Sequence, residues 1–203
     1  MEVSTTRLDD DWADRWREFH RPAQIGRLHV RAPWHEEPRD GIDIVIDPAQ
    51  AFGTGAHPTT RLCLDLLQEV TAGQPLADLG CGSGVLAIAA AKLGFGPIEA
   101  VDHEREALEA TRENARVNGV TLDRVERVDL RAEPAPAAPV TVANLVRPLL
   151  VLLAELLPEQ PETLIVSGLL EGEEDEVATA FAALRERRRR RLQGWSALLL
   201  TRP

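Results

Sequence analysis

The segment Asp78-Leu79-Gly80-Cys81-Gly82-Ser83-Gly84 decides how this chain is read. It joins a short apolar run, PLADL (75–79), to a longer one, VLAIAAAKLG (85–94). The first has the length of a buried strand, and the second that of a helix stopped by a glycine. Glycines at such a turn let the backbone approach a ligand, and the helix behind them starts with unpaired N–H groups. Glycine-rich turns also occur without ligands, so a second feature has to arbitrate. Asp102 closes the next apolar run, IEAVD (98–102). A carboxylate at the end of the second strand can accept both hydroxyls of a ribose. Loop and acid together point to a nucleoside cofactor.

Working outward, REALEATRENARVNG (105–119) reads as a helix stopped at Asn118-Gly119. VERVDL (125–130), VTVANL (140–145) and TLIVSG (163–168) read as strands, with the helix LLVLLAELL (149–157) between the last two. EEDEVATAFAAL (173–184) is a helix with acids first and arginines after it, the order that its dipole favours. RRRRRLQGWSALLL (187–200) is a closing hairpin about Gln193-Gly194. Arg187 to Arg191 read as a solvated edge strand whose charges discourage edge pairing. Strands alternating with helices predict an α/β fold with a parallel sheet covered on both faces. Before it, Trp12, Trp16 and Phe19 form one stripe of a short helix, and GRLHVRAPW (26–34) and GIDIVIDP (41–48) are short strands. Pro58 suits the first turn of a helix running to about Val70. Residues 1–46 are therefore expected to be a linker-like extension, and 47–203 the main domain.

Composition narrows the classes. The chain has 203 residues and a net charge of −10, from 33 acids against 23 Lys and Arg. That balance disfavours direct nucleic-acid binding, where phosphates must be neutralised, and suits a basic partner. Two cysteines imply no disulfide framework and a reducing, cytoplasmic setting. No run has the length of a membrane span, and the acidic start does not read as a signal peptide. The five histidines show no metal-ligand spacing, so no metal is expected. Cys81 reads as a small loop residue and Cys63 as core, neither having a histidine beside it to activate a thiolate.

A dinucleotide fingerprint would need a third glycine where Val85 stands. Asp78 followed by Gly80, Gly82 and Gly84 instead resembles motif I of the class I S-adenosylmethionine-dependent methyltransferases, a Rossmann-like family with a seven-stranded, mostly parallel sheet and a C-terminal antiparallel hairpin. The resemblance implies that the loop passes the methionine part of the cofactor and that Asp78 lies near its amino group. In Asp47–Thr60 (DPAQAFGTGAHPTT), Gly53 and Gly55 would give a flexible cover, Phe52 a shield for the sulfonium, and Thr59 or Thr60 hydroxyls. Asn144 ends the strand VTVANL, where open α/β sheets place ligands; it could cap the next helix, or its carbonyl could orient an amine.

With DDDWADRWREFH, DLGCGSGVLAIAAAKLG and VANL, that second loop makes the chain similar to the bacterial ribosomal protein L11 methyltransferase (PrmA) family. The family's cofactor contacts fall by motif on Thr60, Gly80, Asp102 and Asn144. Ala49 stands where the family usually has glycine. Family members carry an N-terminal domain that recognises the ribosomal protein, and this chain, which begins near the linker that would follow it, is expected to lack it. The resemblance implies S-adenosyl-L-methionine as cofactor, methylation of lysine or α-amino groups of a basic ribosomal protein, and a monomeric enzyme. Three other readings stay open at this point: a methyltransferase of a different protein or a small amine, a cofactor-binding or ribosome-associated module without catalysis, and an NAD-dependent oxidoreductase.

Overall fold

The computed structural model describes residues 21–48 and 55–203. The Trp12, Trp16 and Phe19 stripe lies outside them, as do Ala49, Phe52 and Gly53. Three short strands come first: β1 (Ala23–Ile25), β2 (Leu28–Arg31) and β3 (Ile42–Val45). Next come α1 (Pro58–Leu67), β4 (Leu76–Leu79), α2 (Val85–Leu93), β5 (Ile98–Asp102), α3 (Arg105–Val117) and β6 (Arg124–Arg127). β7 (Val140–Asn144), α4 (Arg147–Leu156), β8 (Thr163–Leu170), α5 (Glu174–Ala180), β9 (Arg185–Leu192) and β10 (Trp195–Thr201) complete the chain.

The main sheet has seven strands in the order β6-β5-β4-β7-β8-β10-β9. β6 to β8 run parallel, and β10 and β9 close the sheet antiparallel, so the expected α/β architecture with its terminal hairpin is the one observed. The order reverses at β4, whose neighbours are β5 and β7, and this switch point opens a crevice beyond the C-terminal strand ends. The hairpin turns at Gln193 and Gly194, both with positive φ, as a tight two-residue turn requires. β9 is the edge strand, and its arginines are tied to acids in and just after α1 and in α5: Arg190 to Asp65 and Glu69, Arg189 to Asp175.

β4 is buried along its whole length, and α2 is apolar nearly all round because the sheet and its neighbours enclose it. The small sheet pairs β1 with β2 antiparallel and β2 with β3 parallel. Its inward residues Leu28, Val30, Ile44 and Ile46 share one apolar core with α1 and α2. Gln68, at the end of α1, fastens it there: its amide accepts from Arg27 N and donates to Ile25 O, both at 3.0 Å. The sequence reading started the strands at β2 and passed over β1, a three-residue strand too short for any periodicity.

One row of α3 holds the approach to the crevice. Asn118 donates to Val45 O and accepts from Val45 N, pairing with the end of β3 as a neighbouring strand would. One turn back, Asn114 accepts from Asp47 N at 3.2 Å and donates to Ser83 O at 2.9 Å. Four helical residues rise about 6 Å and two strand residues about 6.6 Å, which is why asparagines at this spacing meet alternate residues of an extended chain. Asn114 is 2% exposed and joins the segment after β3 to the glycine turn. Asn114→Ala removes a buried bond from each side and is expected to cost about 1–3 kcal/mol; a urea midpoint unchanged from wild type would contradict this role.

Candidate functional site

The glycine turn leaves β4 with Gly80, Gly82 and Gly84 all at positive φ (76°, 53° and 80°). A Cβ on Gly84, the N-cap of α2, would lie 2.9 Å from the Thr111 side chain. Thr111 Oγ1 donates to Gly82 O at 3.0 Å, so α3 grips the turn from behind through Thr111 and Asn114. On the open side, Gly82 N donates to Asp102 Oδ2 and Glu104 N to Asp102 Oδ1, each at 3.0 Å. A carboxylate has about four acceptor positions. The two backbone bonds fix its orientation and leave acceptor capacity toward the cleft that Asp102 lines.

This cleft has a volume of about 260 Å³. Gly80, Gly82, Asp102 and Asn144, which the sequence places on three different segments, meet along it. Val128, Leu130 and Leu149 supply apolar wall. An oriented acceptor for a diol beside apolar side chains fits an adenosyl group. Asn144, last in β7, donates from Nδ2 to Thr60 Oγ1 at 3.4 Å, and its carbonyl oxygen has no bond among the described residues.

Other predicted residues lie behind the wall. Thr60 reaches the cleft through Asn144, while Thr59 is buried and bonded to the ring of His57, the N-cap of α1, at 2.8 Å. That ring lies edge-on to Trp195, and burial lowers its pKa. Gly55 has φ +81° and packs on Val30. Asp78 is fully buried at the foot of the turn; Oδ2 accepts from Ala87 N at 3.0 Å in the first turn of α2, and Oδ1 has no partner among the described residues. Burial pushes its carboxyl up to about 7, the Ala87 bond acting against this and the charge of Asp102 with it. Cys63 and Cys81 are buried, and burial first, then Asp78, raises both thiols, so neither offers a ready thiolate.

The sequence reading missed His103, Asp129 and Leu130. His103 Nδ1 lies 3.2 Å from Asp102 Oδ1, and all three residues line the cleft. VERVDL was read as strand to its end, whereas β6 stops at Arg127 and Val128 N turns to donate to Asp102 O. A usable signal was present: Asp129-Leu130 follows a strand at the same end of the sheet as Asp102. Among the described residues, no group of three or more His, Cys, Asp or Glu could hold a metal ion.

The sheet order, the antiparallel hairpin and the turn facing Asp102 define a class I methyltransferase fold. The ribosomal protein L11 methylase of Lactobacillus delbrueckii subsp. bulgaricus superposes with a TM-score of 0.78 at 29% identity, over 89% of this chain and 98% of that one. The Pyrococcus abyssi tRNA (uracil-54, C5)-methyltransferase, at 18% identity and a TM-score of 0.65, shares the fold alone. Residues 1–203 match the family model for ribosomal protein L11 methyltransferase (PrmA). A Pelobacter propionicus ribosomal protein L11 methyltransferase is 38% identical over 98% of this chain and 69% of its own length. A Pseudomonas putida relative of the same description is 41% identical over 86% of this chain and 62% of its own length. The chain belongs to the ribosomal protein L11 methyltransferase (PrmA) family, and it spans roughly two thirds of the length of these relatives.

The buried acid behind the turn makes a testable statement. A carboxyl with pKa near 7 in the fold and about 3.9 unfolded binds its proton more tightly when folded. Its contribution to stability is therefore complete below about pH 4 and falls as pH rises toward 7. Asp78→Asn keeps an acceptor for Ala87 N without the ionisation. The variant is expected to lose less melting temperature than wild type between pH 5 and 8, and parallel curves would refute the assignment.

Proposed function

We propose that this chain is an S-adenosylmethionine-dependent protein N-methyltransferase acting on an amine of a ribosomal protein, lysine or N-terminal. The observation that carries this reading is the convergence of Gly80, Gly82, Asp102 and Asn144 on one cleft. Family membership supports the reaction class. The substrate rests on the relatives being ribosomal protein L11 methyltransferases and on the net charge of −10, which suits a basic partner. Residues 1–46 are taken as a linker-like extension before a methyltransferase domain of 47–203; the extension's described strands β1–β3 share one apolar core with α1 and α2.

Asp102 would hold the ribose diol, Val128 and Leu130 the base, and Gly80 and Gly82 would give backbone access along the turn. Phe52, Gly53, Gly55, Thr59, Asp78 and Gly84 stay in the proposal as cofactor contacts or as residues that shape the turn and its cover. Bound there, S-adenosylmethionine supplies a methyl group activated by a sulfonium. The chain's own work is to orient the acceptor nitrogen and keep water out.

That nitrogen must be neutral. At pH 7, deprotonating a lysine of pKa ~10.4 costs about 4.6 kcal/mol, and an α-amine near ~7.8 costs about 1 kcal/mol. Asn144, held through Nδ2 by Thr60, presents its carbonyl oxygen to the amine N–H and so aims the nitrogen lone pair along the cleft. An amide side chain takes up no proton, so the proton leaves to water. Asn144→Ala is expected to lower kcat about a hundredfold, within the range of a lost positioning contact, with cofactor Kd changed less than threefold. Equal losses in the two quantities, measured by methyl transfer and calorimetry, would remove the orienting role.

A further inference from the structure

Two of the large apolar side chains exposed in the described residues lie just past the end of β7 and at the end of its neighbour β8. Val146 is 64% exposed and lies two residues beyond Asn144; Leu170, the last residue of β8, is 51% exposed. β7 and β8 are paired in register, Asn144 opposite Ser167. The tips are locked together beyond that pair. Leu145 N donates to Ser167 O at 3.0 Å, and Gly168, at φ +91°, presses on the Leu145 backbone so closely that a Cβ would overlap its carbonyl. Glu173 spans the gap, accepting from Arg147 Nε at 3.2 Å and from Leu170 N at 2.8 Å.

Single exposed apolar residues are ordinary on a protein surface. A pair exposed on a doubly braced backbone, one of them two residues from the residue proposed to orient the acceptor, is a different matter, because the bonds of the brace do not use their side chains. The charge around them has a sign. Arg147 is consumed by Glu173 and Glu176, and Asp175 is paired with Arg189. Glu171, directly after Leu170, is exposed and makes no ion pair among the described residues.

We propose that Val146, Leu170 and Glu171 form the docking rim for the methyl acceptor, and that its occupant is an extended peptide segment with an apolar residue next to the target amine and a Lys or Arg beyond it. The amine would enter at Asn144, the apolar side chain would cover Val146 and Leu170, and the cation would meet Glu171. This rests on the methyltransferase reading of the same cleft and adds the sequence preference of its acceptor.

The test measures binding separately from turnover. Fluorescence anisotropy is recorded with labelled ten-residue peptides carrying one lysine, flanked by Leu and Arg or by Ser and Glu, on the full chain with S-adenosylhomocysteine. The Leu-Arg peptide is expected to bind at least tenfold tighter than the Ser-Glu peptide. Val146→Ser and Leu170→Ser should each weaken it about tenfold, the scale of one lost apolar contact, and Glu171→Gln should remove most of the preference for Arg. Cofactor affinity by calorimetry should stay within twofold in all three variants. Equal binding of the two peptides, absence of binding, or indifference to the substitutions would overturn the rim. So would a concentration-dependent dimer abolished by Leu170→Ser, which would make the patch an interface between copies. Loss of cofactor binding in the wild-type chain would instead overturn the methyltransferase reading, and the peptide preference is scored independently of it.

Discussion

The cleft exists because the turn after β4 is held from two sides at once. From the front, Asp102 accepts from Gly82 N; from behind, Thr111 and Asn114 of α3 take the carbonyls of Gly82 and Ser83. Three elements, β4, β5 and α3, thus converge on a few peptide groups. A turn so rich in glycine has high conformational entropy in the unfolded chain and would not order itself. The same bonds that order it also orient the Asp102 carboxylate, so building the floor of the site and aiming its acceptor are one event.

That arrangement gives the molecule a layered site. Gly80, Gly82, Asp102 and Asn144 line the cleft. Behind them stand residues that work through others: Thr60 on Asn144, Asp78 on the first turn of α2, and Asn114 on the turn and the segment after β3. Asp78 is the costly member, a carboxyl buried with one oxygen unpartnered among the described residues, beneath a site whose own carboxylate raises it further. Its bond to Ala87 N places an acceptor at a helix N-terminus, where N–H groups otherwise lack partners.

Much of this was legible in the sequence because it depends on local pattern. Strand and helix lengths, the glycine spacing, Asn118-Gly119 as a stop and Gln193-Gly194 as a hairpin turn all follow from backbone rules acting within a few residues. β1 was not legible, being three residues held by pairing with β2 and by Gln68. Nor was the meeting of Asp129 and Leu130 with Asp102, which depends on where β6 ends and on a bond from Val128 N to Asp102 O. The burial of Asp78 and its bond to Ala87 N were equally hidden, because the direction of a strand side chain is decided by its neighbours across the sheet. The bonds that Asn114 and Asn118 make to Asp47, Ser83 and Val45 were hidden too, since these partners are distant in sequence.

The central claim is that the Asp102 carboxylate, facing the glycine turn, recognises an adenosyl sulfonium and not a nicotinamide dinucleotide. Calorimetric titration of the wild-type chain and Asp102→Ala with S-adenosylmethionine and with NAD tests it most directly. The account requires one-to-one binding of S-adenosylmethionine that Asp102→Ala weakens by at least about tenfold, as the loss of charged hydrogen bonds implies, with no heat from NAD. Binding of NAD to the wild type, or S-adenosylmethionine affinity indifferent to Asp102, would contradict it.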